Sequence, residues 1–185
     1  DDNIFTWYKS EGRNGFTSAK QTIKSHDEEA GPHIVFADSE QTIFLADMSG
    51  DGLTDIVRIK NSNICYWPNL GYGKFGRKVA MDNAPLFDHP DAFNPSYIKL
   101  ADIDGSGTTD IIYLGKNSFK CWMNLSGNRF GDTVFEMDAF PHIDSQTKIT
   151  VTDLLGNGVA CIVWSSSLVN DSSSPIRYVD LMNSK

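Results

Sequence analysis

Ile98-Lys-Leu-Ala-Asp-Ile-Asp-Gly-Ser-Gly-Thr-Thr-Asp-Ile-Ile112 decides how this chain is read, because it has occurred once already. Ile43-Phe-Leu-Ala-Asp-Met-Ser-Gly-Asp-Gly-Leu-Thr-Asp-Ile-Val57 is the same pattern 55 positions earlier. That shift carries Asp47 to Asp102, Asp55 to Asp110, Trp67 to Trp122, Asn69 to Asn124, Phe75 to Phe130 and Gly76 to Gly131, with no gap. A unit of this length built from strand-like runs is one supersecondary piece that cannot bury its apolar face alone, so the units must stack. A small sheet per unit points to a propeller blade.

Working outward, the units run over 43–97 and 98–148. A degenerate or incomplete one covers 149–185, where Asp153, Gly156 and Gly158 keep the pattern and Cys161 stands where the closing Asp would be. Residues 1–42 read as a partial blade (Ile4-Phe-Thr-Trp-Tyr, then Gly15-Phe16) followed by an acidic loop, His26-Asp-Glu-Glu-Ala-Gly-Pro, expected to be mobile. Within a full unit four strands are expected: Thr42–Ala46, Asp55–Ile59, Asn63–Trp67 and one near Arg77–Ala80. Tight turns such as 60–63 and 115–118 separate them. The connection 81–95 holds three prolines, which forbid a regular central strand or helix. Its Leu86, Phe87 and Phe93 are expected to fold back onto the blades. The fold class is therefore all-β, a partial β-propeller of about three to four four-stranded antiparallel blades.

Composition agrees. The chain has 185 residues, 40% of them apolar, enough for a core. It holds 19 Asp against 5 Glu, with 15 Gly and 7 Pro. Asp favours turns, caps and cation loops where Glu favours helices. A formal charge of −8 argues against nucleic acid or an anionic membrane as partner. No apolar run is long enough to insert directly into a membrane. The first residues do not resemble a signal peptide, and the chain is expected to be a piece of something larger. Cys65, Cys121 and Cys161 fall in strand-like runs without metal or redox spacing and read as buried thiols.

The first turn of each unit holds the candidate site. Asp47, Ser49, Asp51 and Asp55 place oxygen side chains at loop positions 1, 3, 5 and 9, with Gly52 at position 6; Asp102, Asp104, Ser106 and Asp110 repeat this around Gly107. Calcium takes about six to eight oxygens, and alternate inward side chains of a short loop can supply them. The spacing matches the first half of an EF-hand loop, but Arg58 and Tyr113 stand where its bidentate Glu belongs, so a β-hairpin calcium loop of the integrin-like propeller sort is the better comparison. The same residues could equally cap backbone amides with no ion. Both readings stay open for the first two loops; the third has lost a ligand. Trp67 and Trp122, repeated at one blade position, read as filler between blades rather than as a ligand platform. The histidines (His26, His33, His89, His142) are scattered, and no nucleophile elbow, His-Glu-x-x-His or phosphate loop is present, so no enzyme is expected.

Through Asp102-Ile-Asp-Gly-Ser-Gly-Thr-Thr-Asp110 and the Phe-Gly pairs at 75–76 and 130–131, the unit resembles the FG-GAP/VCBS class of propeller repeats. A more specific resemblance runs through Asp47-Met-Ser-Gly-Asp-Gly-Leu-Thr-Asp-Ile-Val-Arg-Ile59, Cys65-Tyr-Trp-Pro-Asn-Leu-Gly-Tyr-Gly-Lys-Phe-Gly76, Met81-Asp-Asn-Ala-Pro85, Phe87-Asp-His-Pro-Asp91 and Ser174-Pro-Ile-Arg-Tyr-Val-Asp-Leu-Met182. These are similar to the B component of bacterial Tc (toxin complex) toxins, over about 43–185. That resemblance implies a non-enzymatic propeller module that docks onto the pore-forming A component and gates release of a toxin enclosed with the C component. It implies an extracellular setting, and the A component, the C component and the rest of the parent chain as partners. The competing expectation is a calcium-dependent propeller adhesin or lectin; a propeller hydrolase ranks third.

Overall fold

The computed structural model describes residues 3–33, 42–115, 119–137, 148–165 and 176–182. His142, the tip 116–118 and the residues at 174–175 lie outside the described residues.

Thirteen strands in four sheets account for the described chain. A two-stranded leaflet holds β1 (Ile4–Trp7) and β2 (Lys20–Ile23). The first full sheet runs β3 (Ile43–Ala46), β4 (Asp55–Lys60), β5 (Asn63–Trp67) and β6 (Val79–Ala80). The second runs β7 (Ile98–Ala101), β8 (Asp110–Leu114), β9 (Phe119–Leu125) and β10 (Arg129–Met137). The last has β11 (Lys148–Thr152), β12 (Cys161–Ser165) and β13 (Ile176–Asp180). In every sheet, strands adjacent in sequence pair, and all pairs are antiparallel. This is an all-β array of blade-like meanders, the architecture of a partial β-propeller. Among the described residues the only helical pieces are two single 3-10 turns, Gly12–Asn14 and Pro95–Tyr97.

The two full sheets repeat each other in register. Val57 pairs with Tyr66 and Ile59 with Ile64; 55 positions on, Ile112 pairs with Cys121 and Leu114 with Phe119. Three apolar layers lie between the four sheets. Phe5 of the leaflet meets Ile56, Cys65, Trp67 and Phe75. Val57, Ile64 and Tyr66 meet Ile111, Tyr113, Trp122 and Phe130. Ile112, Phe119 and Cys121 meet Ile162 and Trp164. The middle strands are consequently covered on both faces; every residue of β8 is buried, which its unbroken Ile-Ile-Tyr-Leu run requires. β3 and β7 are half-exposed, because each is an edge strand paired on one side only.

Trp67 and Trp122 occupy matching niches, each buried against the preceding sheet. The connection after β6 folds back as expected of Phe87, which is buried against Tyr113 and stands edge-on to Trp122 at 5.3 Å. Phe93 stacks on Phe87. Leu86 does the opposite and points to solvent. Asn61 secures this loop by accepting from Phe87 N and donating to the Asp88 carbonyl, both at 2.8 Å. The acidic loop after β2, expected to be mobile, is docked: Trp67 Nε1 donates to the Glu28 carbonyl at 2.7 Å, Glu28 pairs with Arg58, and Glu29 with Lys78.

Candidate functional site

The three Asp loops share one geometry. Asp47 accepts from Gly50 N at 2.7 Å and Asp51 N at 3.2 Å through one oxygen, and from Gly52 N at 2.7 Å through the other. Asp102 does the same with Gly105, Ser106 and Gly107, and Asp153 with Gly156, Asn157 and Gly158. These bonds hold the Asp153 carboxyl below the usual range. Gly52 and Gly107, at φ 85° and 90°, make the left-handed corner that lets both amides reach the carboxylate.

The closing acids do different work. Asp55 is fully buried and accepts from Met48 N at 3.0 Å and Asn69 N at 2.8 Å, tying the loop to the end of β5. Asp110 repeats this with Ile103 N at 2.8 Å and Asn124 N at 2.7 Å. Burial raises both carboxyls against the downward pull of the amides, Asp110 to about 6.

As cation ligands the predicted residues divide. Among the described residues Asp102, Asp104 and Asp110 bring carboxylate oxygens within 4.8 Å of one another. Ser106 beside them is turned to Thr108, with their hydroxyls 3.0 Å apart. In the first loop Asp51 accepts from Leu53 N, while the Ser49 hydroxyl is buried without a hydrogen-bond partner. The donor set is hard oxygen and suits calcium, yet the amides already occupy the carboxylates, so each loop is closed by its own backbone.

A second set of contacts, running between sheets, was legible only as the repeat of Asn69 at Asn124. Thr109 N donates to the Asp47 carbonyl at 2.8 Å, and one unit later Ala160 N donates to the Asp102 carbonyl at 3.2 Å. Asn124 Nδ2 donates to the Met48 carbonyl at 2.9 Å, and Tyr66 Oη to the Gly127 carbonyl at 3.0 Å. A Cβ on Gly127 would lie 2.6 Å from that Tyr66 hydroxyl, which explains the glycine. At the leaflet the equivalent joint is looser: Phe5, Trp7, Tyr8, Asn69, Tyr72 and Phe75 line an open cleft of about 420 Å³, with Trp7 edge-on to Tyr72 at 5.6 Å. All three cysteines are buried free thiols, and burial pushes the Cys121 thiol up to about 12. His89 is a surface residue beside Asp91, 3.6 Å away.

No protein-family model matches the chain, and neither does any curated protein sequence. Solved structures do. A chain of the Photorhabdus luminescens Tc holotoxin pore, determined with a mutation in TccC3, aligns with 94% of this chain at TM-score 0.73 and 27% identity. A chain of the TcdB2-TccC3-Cdc42 crystal structure aligns with 75% of it at TM-score 0.66 and 32% identity. This chain spans only 8% and 6% of those two chains. A lectin from Agrocybe aegerita that recognises non-reducing terminal N-acetylglucosamine aligns with 86% of this chain at TM-score 0.60 and 25% identity, over 40% of its own length.

Proposed function

From the Tc toxin B-component-like fold of this chain, we propose that it is a non-enzymatic, FG-GAP/VCBS-type β-propeller module of a Tc toxin B component, which docks to the pore-forming A component and gates release of a toxin enclosed with the C component. The observation that carries this reading is the 32% identity to a TcdB2-TccC3 chain over 75% of this chain, joined to the Tc holotoxin pore match over 94%. The setting is extracellular, within a bacterial toxin complex; no helix among the described residues is long and apolar enough to cross a membrane.

The physical parts suit a gate. The two joints between the three larger sheets each combine an apolar layer with a recurring backbone hydrogen bond, Thr109 N to the Asp47 carbonyl and Ala160 N to the Asp102 carbonyl. Sheets so linked can slide or part as units without unfolding. Burial raises the Cys65 and Cys121 thiols above their ordinary range, which disfavours either as a nucleophile. The test is reconstitution of the parent B component with its C and A partners, with Asn124→Ala and Tyr66→Phe introduced to loosen one joint. Altered docking or premature leakage of cargo is expected. Unchanged docking and retention in both variants, with the joint shown to be weakened, would remove the gating role.

A second reading, a calcium-dependent adhesin or lectin, draws on the N-acetylglucosamine-recognising lectin and on the convergence of Asp102, Asp104 and Asp110. Glycan-array binding that appears with calcium and disappears with chelator would favour it; no glycan bound under either condition would end it.

A further inference from the structure

Four places in this chain put Asp or Asn directly before Gly: 14–15, 51–52, 104–105 and 157–158. Such pairs are chemically labile. The glycine has no side chain to shield its amide nitrogen or restrict its backbone, so that nitrogen can attack the preceding side-chain Cγ. With Asn, the new C–N bond closes a five-membered succinimide. The side-chain nitrogen leaves as ammonia, and the attacking nitrogen gives up its proton to solvent. Water then opens the ring at either carbonyl and leaves Asp or its β-linked isomer; nothing is oxidised or reduced. The step needs two freedoms: a glycine amide that is not already donating, and a side-chain carbonyl able to turn onto it.

Three of the four pairs have lost both. In the first loop Gly52 N donates to Asp47 at 2.7 Å, and Asp51 accepts from Leu53 N at 2.8 Å. In the second, Gly105 N donates to Asp102 at 2.8 Å, and Asp104 accepts from Ser106 N at 2.9 Å. In the third, Gly158 N donates to Asp153 at 2.9 Å, and Asn157 accepts from Val159 N at 3.0 Å. The leading Asp of each loop thus ties down the one atom that would attack, through a charge-assisted hydrogen bond. The pair's own side chain is committed two residues further on.

Asn14–Gly15 has no such lock. It lies at the tip of the β1–β2 hairpin, at the end of the 3-10 turn Gly12–Asn14, and Asn14 is exposed. Gly15 N donates only to the Gly12 carbonyl, a neutral partner at 3.2 Å. No hydrogen bond among the described residues holds the Asn14 side chain. This exposure belongs to the hairpin rather than to the leaflet's place in the array. Asn128, two residues before Phe130 as Asn14 is before Phe16, is exposed as well, in a sheet with apolar layers on both sides.

We propose that Asn14 is the site of spontaneous deamidation in this chain, and that the carboxylates of Asp47, Asp102 and Asp153 shield the three loop pairs from the same succinimide chemistry. The leading Asp of each loop then has a task that needs no ion, and one that stands whether or not the toxin reading does.

The intact 185-residue chain, incubated in warm, mildly alkaline buffer and then digested, shows deamidation at each Asn by mass spectrometry; a second sample is incubated in urea. Asn14 is expected to react ~10-fold or more faster than Asn157 in the folded chain, the ratio that a hydrogen bond to a charged group sustains. In urea the two are expected to react at similar rates. Asp153→Ala, with the last sheet shown intact by amide exchange in β12, is expected to raise the Asn157 rate toward that of Asn14 and leave Asn14 unchanged. Equal rates in the folded chain overturn the proposal, as does a gap that persists in urea or an Asn157 that stays slow once Asp153 is gone. Should Asp153→Ala lose the sheet, Asp47→Ala, read as isoaspartate formed at Asp51, decides by the same two outcomes.

Discussion

At the scale of the residue, the closing acids decide most. Asp110 is buried yet accepts two amide hydrogens, and burial wins, raising the carboxyl from its ordinary value to about 6. A carboxyl raised in the folded state binds its proton more tightly there than in the unfolded chain. Its stabilising contribution is complete below pH ~4 and is lost as pH rises through about 6. Asp110→Asn removes that titration. The stability difference between wild type and variant, measured by urea unfolding with chelator present, is therefore expected to fall by about 3 kcal/mol at most between pH ~4 and ~7, at 1.36 kcal/mol per pH unit. A flat difference would show the site to be wetter than its burial implies. Two glycines make a sharper contrast. Gly52 and Gly127 both have positive φ, but a Cβ on Gly52 meets nothing within 4 Å, while one on Gly127 meets Tyr66 Oη at 2.6 Å and the Met48 carbonyl at 3.0 Å. Gly52→Ala should cost about 1 kcal/mol from backbone strain alone, and Gly127→Ala roughly 3 kcal/mol or more, because it also opens the joint between sheets. Thermal unfolding of the pair distinguishes the two costs.

At the scale of the element, what could be read in the chain depended on whether the signal was local. The Asp loops and β5 were legible because turn chemistry and an apolar run lie within ten residues of sequence. The span of β6 was not: Val79–Ala80 is two residues long, and its start is set by pairing with Cys65 and Tyr66 rather than by its own pattern. Leu86 and Phe87 are neighbours of equal hydrophobicity with opposite fates, and the choice is made 26 residues away by Asn61, which holds the Phe87 amide. Likewise the docking of Glu28 depends on Trp67 and Arg58, which no reading of 26–32 alone contains. Of the site, the Asp loops were evident from spacing, but the joint made by Thr109, Asn124 and Gly127 appears only when sheets are stacked. One element-level expectation follows from the third loop. Cys161 stands where Asp55 and Asp110 tie loop to strand, so the third loop keeps its three amide bonds to Asp153 without an acid at the closing position. Amide exchange in β11 is expected to run at least tenfold faster than in β7, its equivalent, as befits the least-tied unit. Equal protection would mean that packing on Ile112 and Phe119 alone holds the sheet.

At the scale of the whole molecule, the apolar layers among the described residues join each sheet to its sequence neighbour, so stability is a sum of sheet terms and joint terms in a line. Where a joint sits in that line decides what its loss does. Trp122 lies in the central joint, covered by Phe87 and sharing its layer with Val57, Tyr66 and Tyr113. Removing the indole should cost about 3–5 kcal/mol of packing. That exceeds what a single interface of this kind can lose while still coupling its two sides, so Trp122→Ala is expected to turn one cooperative urea transition into two. The leaflet and first sheet would unfold apart from the second and third. Truncating Trp164, in the terminal joint with Ile162 and Leu114, removes comparable area but leaves only the last sheet beyond it. Its transition should stay single for the remaining sheets, with early loss of β11–β13 alone. Tryptophan fluorescence and far-ultraviolet circular dichroism, followed together, separate the cases. Coincident curves for Trp122→Ala would mean that the array is one cooperative body, and sheets that cannot part singly could not serve as the moving pieces of a gate.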